Sequence, residues 1–289
     1  MLGESKYKIL RNISKKPSTY LYEKEVPVRQ LEEELAKLDI RYPFICKPDI
    51  GERGWAVKKV SSYEEFEKYR QSIRVPFLIQ NFVDLPIEAG VFYYRYPKAE
   101  KGVVSSIVIK EMLTVMGDGK KTVEELILNN PRATIQYERF KAKNPGLLHQ
   151  VLPIGGAVEL ESIGNHCLGT KFINGNHLIT EKLVDSFDAL SKSIEGFYYG
   201  RFDLRCASLE ALENGEVMIM ELNGAGAEPA HIYHPGFSIF AAYKVLFSHW
   251  RVLYEISKQN NERGFPYLSF KEGVNEYKKV RAYNKMKSE

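Results

Sequence analysis

Two short stretches hold the residues best suited to chemistry. They are Tyr198-Tyr199-Gly200-Arg201-Phe202-Asp203-Leu204-Arg205 and, some eighteen residues on, Met220-Glu221-Leu222-Asn223-Gly224. Apolar residues alternate with others in both, which predicts strands, and Asn214-Gly215 between them predicts a tight antiparallel hairpin. Strand side chains repeat every second residue, so Arg201, Asp203 and Arg205 share a face, as do Glu221 and Asn223. Two carboxylates, an amide oxygen and a guanidinium in one small volume suit Mg²⁺, a hard cation that shares its coordination with water and substrate phosphates. The plain alternative is a solvated face with cross-strand ion pairs. Against it stands the sequel, Asn223-Gly-Ala-Gly-Ala-Glu-Pro229, a small-residue loop that lets a ligand approach the backbone closely.

Lys47 ends the apolar run Phe44-Ile-Cys-Lys47-Pro48, just ahead of the Gly51 to Gly54 loop. A lysine so placed can set its ammonium on a polyphosphate while loop amides cradle the oxygens; otherwise it snorkels from a strand end. His231 and His234 have metal-like spacing but read better as packing or substrate-contact residues. Gly119-Lys120-Lys121-Thr122 is no phosphate loop, because Thr114 stands where the first glycine belongs and Lys121 where Ser or Thr must follow the lysine. No GxGxxG follows a strand, and no GxSxG occurs.

The elements that must position these groups come from an ordinary globular composition, 44% hydrophobic and 27% charged over 289 residues, enough for one large domain or two lobes. A net charge of +4, spread along the chain, fits a phosphorylated ligand and gives no sign of nucleic-acid binding. Three cysteines with no CxxC pair suggest neither a disulfide framework nor zinc, and a reducing cytoplasm is expected. There is no apolar signal core and no membrane-length apolar run, so a soluble chain without membrane association is expected. Helices are predicted over Ser5 to Ile13, Val28 to Leu38, Ser62 to Tyr69, Val123 to Leu128, His177 to Ile194 and Pro235 to Ser257, the last as a buried amphipathic closing helix. Strands are predicted over Tyr42 to Pro48, Trp55 to Val60, Pro76 to Val83, Ile87 to Tyr96, Gly102 to Val115 and Val158 to Ser162. Ile163 to Asn176, with Lys171, reads as a loop, Pro131 to Pro153 is aperiodic, and the polar tail from Asn275 is expected to fray.

Taken in order, Lys6, the Phe44 to Gly54 segment, Leu78-Ile-Gln80-Asn-Phe-Val83 with Glu88, Gly200-Arg201-Phe-Asp203 and Glu221-Leu-Asn223 resemble the ATP-grasp superfamily. The style is that of D-alanine–D-alanine ligases, and Val115 to Ile127 is similar to the ATP-grasp part of cyanophycin synthetases and bifunctional glutathione synthetases. The resemblance implies a two-lobed α+β fold with nucleotide between an N-terminal lobe (residues 1–83) and a C-terminal lobe (84–270), followed by a polar tail (271–289). It implies that Lys6, Lys47 and the Gly51 to Gly54 loop hold the phosphates of ATP, with Lys171 as a further phosphate contact. Gln80, Phe82 and Val83 would present the hinge to adenine, and Glu88 would bind ribose. Asp203, Glu221 and Asn223 would hold Mg²⁺, and Arg201 would act catalytically on the charge that develops on oxygen.

The expected activity is an ADP-forming carboxylate–amine ligase acting through an acyl phosphate, with small-molecule carboxylate and amine substrates contacted by Arg205, Glu228 and His231. A non-catalytic ATP-binding partner subunit is the alternative, and phosphoryl transfer without ligation uses the same site. Two departures stand out: Gln80 replaces the usual hinge glutamate, and Lys6 lies so near the start that the usual preceding domain is expected to be absent. A homo-oligomer or a separate substrate-binding chain both stay open.

Overall fold

A computed structural model of the chain describes residues 4–23, 26–52, 54–161, 164 and 168–288. The expectations that touch Arg53, Ser162, Ile163 and Cys167 lie outside the described residues. The helix α1 (Lys6–Leu10), capped by Ser5, leads into a four-stranded antiparallel sheet. Its strands β1 (Thr19–Tyr22), β2 (Phe44–Pro48), β3 (Lys58–Val60) and β4 (Phe77–Asn81) lie in the order β1-β4-β2-β3. Leu31 and Leu35 of α2 (Val28–Lys37) join Phe66 and Tyr69 of α3 (Tyr63–Ser72) against Phe44, Phe77 and Ile79 to form its core. Ser62 caps α3 as its sequence predicts, accepting from the Glu65 amide.

A five-stranded antiparallel sheet follows, with β5 (Ile87–Tyr94) and β6 (Val103–Glu111) at its centre. β6 ends earlier than expected: β7 (Thr114–Met116) leaves the sheet and pairs with β8 (Ala157–Glu159). These two strands and the helices α4 (Val123–Leu128), α5 (Pro131–Thr134) and α6 (Tyr137–Lys143) enclose a small core of their own, including Val115, Ile127 and Phe140. The aperiodic stretch from Pro131 thus holds two short α-helices and a 3-10 turn (Pro145–Leu147), each too short to show a hydrophobic period.

The predicted loop around Lys171 is in part a strand, β9 (Lys171–Asn174), on the sheet edge; four residues with one buried apolar side chain give no alternation to read. The helix α7 (Glu181–Lys192) starts later than expected, at the Thr180 cap, and buries Leu183, Phe187 and Leu190 on one face of the sheet. β10 (Tyr199–Cys206) and β11 (Val217–Asn223) complete the order β11-β10-β5-β6-β9. They are antiparallel as expected, but α8 (Leu209–Glu213) connects them, and Asn214-Gly215 terminates that helix instead of forming a two-residue hairpin turn. Gly215 supplies the required positive φ of 67°.

The helix α9 (Ile239–Glu262) crosses the opposite face of the sheet, where Val252 and Ile256 meet Phe92 and Tyr199. It is not the buried helix expected, for only His249, Val252 and Ile256 are buried along its length. The tail is not frayed but helical, α10 (Phe270–Ser288). Its Tyr283 hydroxyl donates to the Ile50 carbonyl at 2.7 Å, and the Lys287 ammonium lies 4.1 Å from the centre of the Trp55 ring, fastening it beside the glycine loop. Among the described residues no helix is long and apolar enough to cross a membrane.

Candidate functional site

The strand β10 has two unlike faces. Phe202, Leu204 and Cys206 point into the core under α7, while Tyr199, Arg201, Asp203 and Arg205 point the other way. The α9 helix covers that second face only at Tyr199, so Arg201, Asp203 and Arg205 line a cavity of about 530 Å³ that also reaches the first sheet. Asp203 pairs in register with Glu221 on one side and Gly90 on the other, and Arg201 with Asn223. A Cβ on Gly90 would come within 2.9 Å of Val108 and 3.4 Å of the Asp203 carboxylate, so glycine there keeps the floor of the cavity open.

Lys6, Lys47, Gly51, Gly54, Gln80, Phe82, Val83, Glu88, Arg201, Asp203, Glu221 and Asn223 all line this one cavity, and so does Arg205. Lys171 does not: on its edge strand it is half-exposed and faces Glu111 at 3.9 Å. His231 and Glu228 also lie off the lining. The His231 ring is buried against Ser106, with its Nδ1 2.7 Å from the hydroxyl, and burial pushes its pKa down. Nδ1 of His234 accepts from the Asn174 amide at 3.1 Å, so both histidines pack the sheet edge.

Asp203 is the electrostatic centre. Arg201 donates to both its oxygens at 3.3 and 3.0 Å, the Asn223 amide donates at 2.7 Å, and the Lys110 ammonium stands 3.4 Å away. Burial alone would raise this carboxyl, but Arg201 and Lys110 outweigh it and hold the pKa at about 2. Glu88 is held between Lys110 at 3.0 Å and two Arg205 nitrogens at 3.1 and 2.8 Å, and Arg205 also donates to the Val83 carbonyl at 3.1 Å. Sequence reading missed Lys110; its signal was a lysine closing the apolar run of β6, the same arrangement that marks Lys47.

Lys47 donates to Gln80 Oε1 and to the Met220 carbonyl, both at 2.9 Å, and so ties the first sheet to β11. The Lys6 ammonium donates to the Gly51 carbonyl at 2.6 Å and faces Glu221 at 3.4 Å. Over Phe82, the Lys59 ammonium sits 3.8 Å from the ring centre. Five basic side chains, Lys6, Lys47, Lys110, Arg201 and Arg205, thus face four carboxylates, of which Glu52 is exposed at the rim. The cavity can take a polyanion beside an apolar wall built from Ile45, Val57, Phe82 and Met220.

Among the described residues no three His, Cys, Asp or Glu side chains cluster as a ready-made metal cage. The donors present are two carboxylates opposed in register and an amide, with Asp203 ionised even in acid. Such a set fits a hard divalent cation that draws its remaining ligands from water and phosphate.

No protein-family model matches the chain, and no curated protein matches it. Solved structures similar to it include D-alanine–D-alanine ligase from Bacillus anthracis, at 14% identity and TM-score 0.44, covering 89% of this chain and 67% of that one. The D-Ala:D-Ser ligase VanG from Enterococcus faecalis is similar at 11% identity and TM-score 0.47, covering 89% and 62%. A bifunctional glutathione synthetase from Pasteurella multocida is similar at 16% identity and TM-score 0.38, covering 79% and 32%. The chain therefore spans between about a third and two thirds of the length of these proteins.

Proposed function

We propose that the chain is an ATP-grasp enzyme, an Mg-dependent and ADP-forming ligase that joins a small carboxylate, such as an amino acid or peptide, to an amine. The observation that carries the reading is convergence: residues as far apart as Lys6 and Asn223, singled out by type and order in the sequence, meet on one cavity between two sheets. Lys6 and Lys47 line the cavity together with Gly51 and Gly54, and their ammonium groups would take phosphate oxygens. Phe82 and Val83 offer an apolar edge and backbone to a base, with Glu88 fixed by Arg205 and Lys110 for hydroxyl contacts.

Asp203, Glu221 and Asn223 would hold the metal, which when bound supplies charge neutralisation between phosphate oxygens. In such a ligation the substrate carboxylate attacks the γ-phosphorus and expels ADP, and the amine then attacks the acyl phosphate carbonyl and displaces inorganic phosphate, losing a proton as the amide forms. Charge grows on oxygen in both steps, and the Arg201 guanidinium, partly buried and already oriented by Asp203 and the Glu228 carbonyl at 3.0 Å, is the group that would meet it.

The direct test is a hydroxylamine trap with Mg-ATP and pooled amino acids, dipeptides and other small carboxylates, read by mass spectrometry. ADP and a hydroxamate appearing together are expected. Protein that binds ATP yet forms neither product is either a binding subunit or a ligase whose substrate domain lies on a partner chain, and the reading of this chain as a ligase by itself fails.

Lys47 provides a second prediction. Burial lowers its ammonium to about 8, against the opposing pull of Glu221. Free protein is therefore losing this proton as pH rises through 8, and a polyphosphate bound beside it restores it. ATP binding is expected to take up protons above pH 8 and to take up few well below it, measured by calorimetry in buffers of different ionisation enthalpy. Uptake that is unchanged in Lys47→Met would show that another group is responsible.

A further inference from the structure

The face of α9 turned away from the sheet is a straight aromatic seam. Phe240, Tyr243, Phe247, Trp250 and Tyr254 follow one another at steps of three, four, three and four residues, and they are 84, 54, 61, 55 and 65% exposed. Neighbouring rings touch: Tyr243 stacks on Phe247 at 6.4 Å between centres, and Phe247 meets Trp250 edge-on at 5.4 Å. An alternation of three and four is the spacing that lets two helices mesh along their length. The buried residues His249, Val252 and Ile256 lie about 160° round the helix from the seam. The two bodies of a helix pair would thus hang outward without colliding.

We infer that this seam pairs with the same seam of a second copy of the chain, with the two α9 helices parallel and in register. The flanks select both the occupant and its direction. One flank is wholly basic, Lys244, Arg251 and Lys258, and the other is aliphatic, the exposed Ile239, the half-buried Leu246 and Leu253, the last packed in part against the Phe92 and Tyr199 core; neither holds a carboxylate. Antiparallel pairing sets the basic flank against itself. Parallel pairing sets each aliphatic residue of one copy beside a basic residue of the other, Ile239 by Lys244, Leu246 by Arg251 and Leu253 by Lys258. The methylene stems then cover the aliphatic surface while the charges reach water.

The area suffices. At about 150–250 Å² per aromatic side chain, five rings at these exposures offer on the order of 600 Å² per copy. The flanks bring the total towards the roughly 800 Å² per partner of a standard interface.

The test uses the full chain. Light scattering behind size exclusion at micromolar concentration is expected to give twice 33.2 kDa. A Phe247→Glu, Tyr254→Glu double variant is expected to run as a monomer while its ATP affinity stays unchanged, which separates loss of pairing from loss of fold. Ser257, the next seam position, reports direction: Ser257→Cys in a Cys167→Ser background is expected to oxidise to a linked dimer, because only parallel, in-register helices bring the two thiols together. A monomeric unmodified chain overturns the inference, and so does a dimer indifferent to the double variant or one that Ser257→Cys does not link. A monomer that binds phosphatidylglycerol vesicles through the seam also overturns it, and makes an anionic lipid surface the partner.

Discussion

Asp203→Asn is expected to lower ADP formation by about a hundredfold or more, the scale on which removing one preorganised charged contact acts. The substitution keeps the shape but removes the charge that Arg201 and Lys110 both face, at 3.0 and 3.4 Å. Arg201 then has no carboxylate to fix its plane, and the metal donor set falls from two carboxylates to one. Steady-state ADP release measured beside thermal unfolding separates the two roles: turnover should collapse in protein that still unfolds cooperatively, at a lowered melting temperature because Lys110 and Arg201 lose a buried counter-charge. Full ATP turnover in this variant would remove Asp203 from the metal site.

On the other side of the same strand, Phe202→Ala is expected to cost about 3–5 kcal/mol of stability, the range for emptying a buried aromatic site. Phe202 is fully buried between Phe187 and Phe197, with ring centres 5.8 and 5.2 Å away. The close packing of its neighbours leaves little room for collapse. Because Arg201 and Asp203 flank it in β10, the cavity lies directly behind the charged face, and activity should fall with stability. A loss below about 1 kcal/mol by urea denaturation would mean that the α7 face of β10 does not anchor the sheet.

What the sequence made legible follows the length of its periodic signals. β10 and β11 alternate over seven or eight residues, so their faces and their antiparallel pairing were readable, but the register that sets Arg201 opposite Asn223 and Asp203 opposite Glu221 was not, because the expected two-residue hairpin implies a different one and the pairing shifts between Asp203 and Leu204. The helix between them was not, because five residues are too few for a helical period and Asn214-Gly215 serves a helix end as well as a hairpin. β9 has four residues and one buried apolar side chain, and was read as loop; Lys171 therefore sits on a sheet edge facing Glu111, away from the cavity. Lys110 escaped notice because a single lysine in an apolar strand has a common bland reading. For α9, the apolar run reads as a buried amphipathic helix, but its spacing does not say which side the sheet takes, and the aromatic side stays exposed. The tail's polarity hid a helix whose fastening depends on one tyrosine and one lysine reaching Ile50 and Trp55.

The bond from Lys47 to the Met220 carbonyl joins residues 173 apart in the chain. During synthesis the first sheet is complete once Asn81 has emerged, and its core of Phe44, Phe66 and Phe77 draws on nothing later. Lys6 and Lys47, by contrast, wait for β11 to arrive before they meet Glu221 and Met220. Closing so long a loop is entropically costly and slow. A nascent chain stalled before Asn223 therefore holds every residue of the first sheet and of its Phe44, Phe66 and Phe77 core, just over a quarter of the chain, and still has no site.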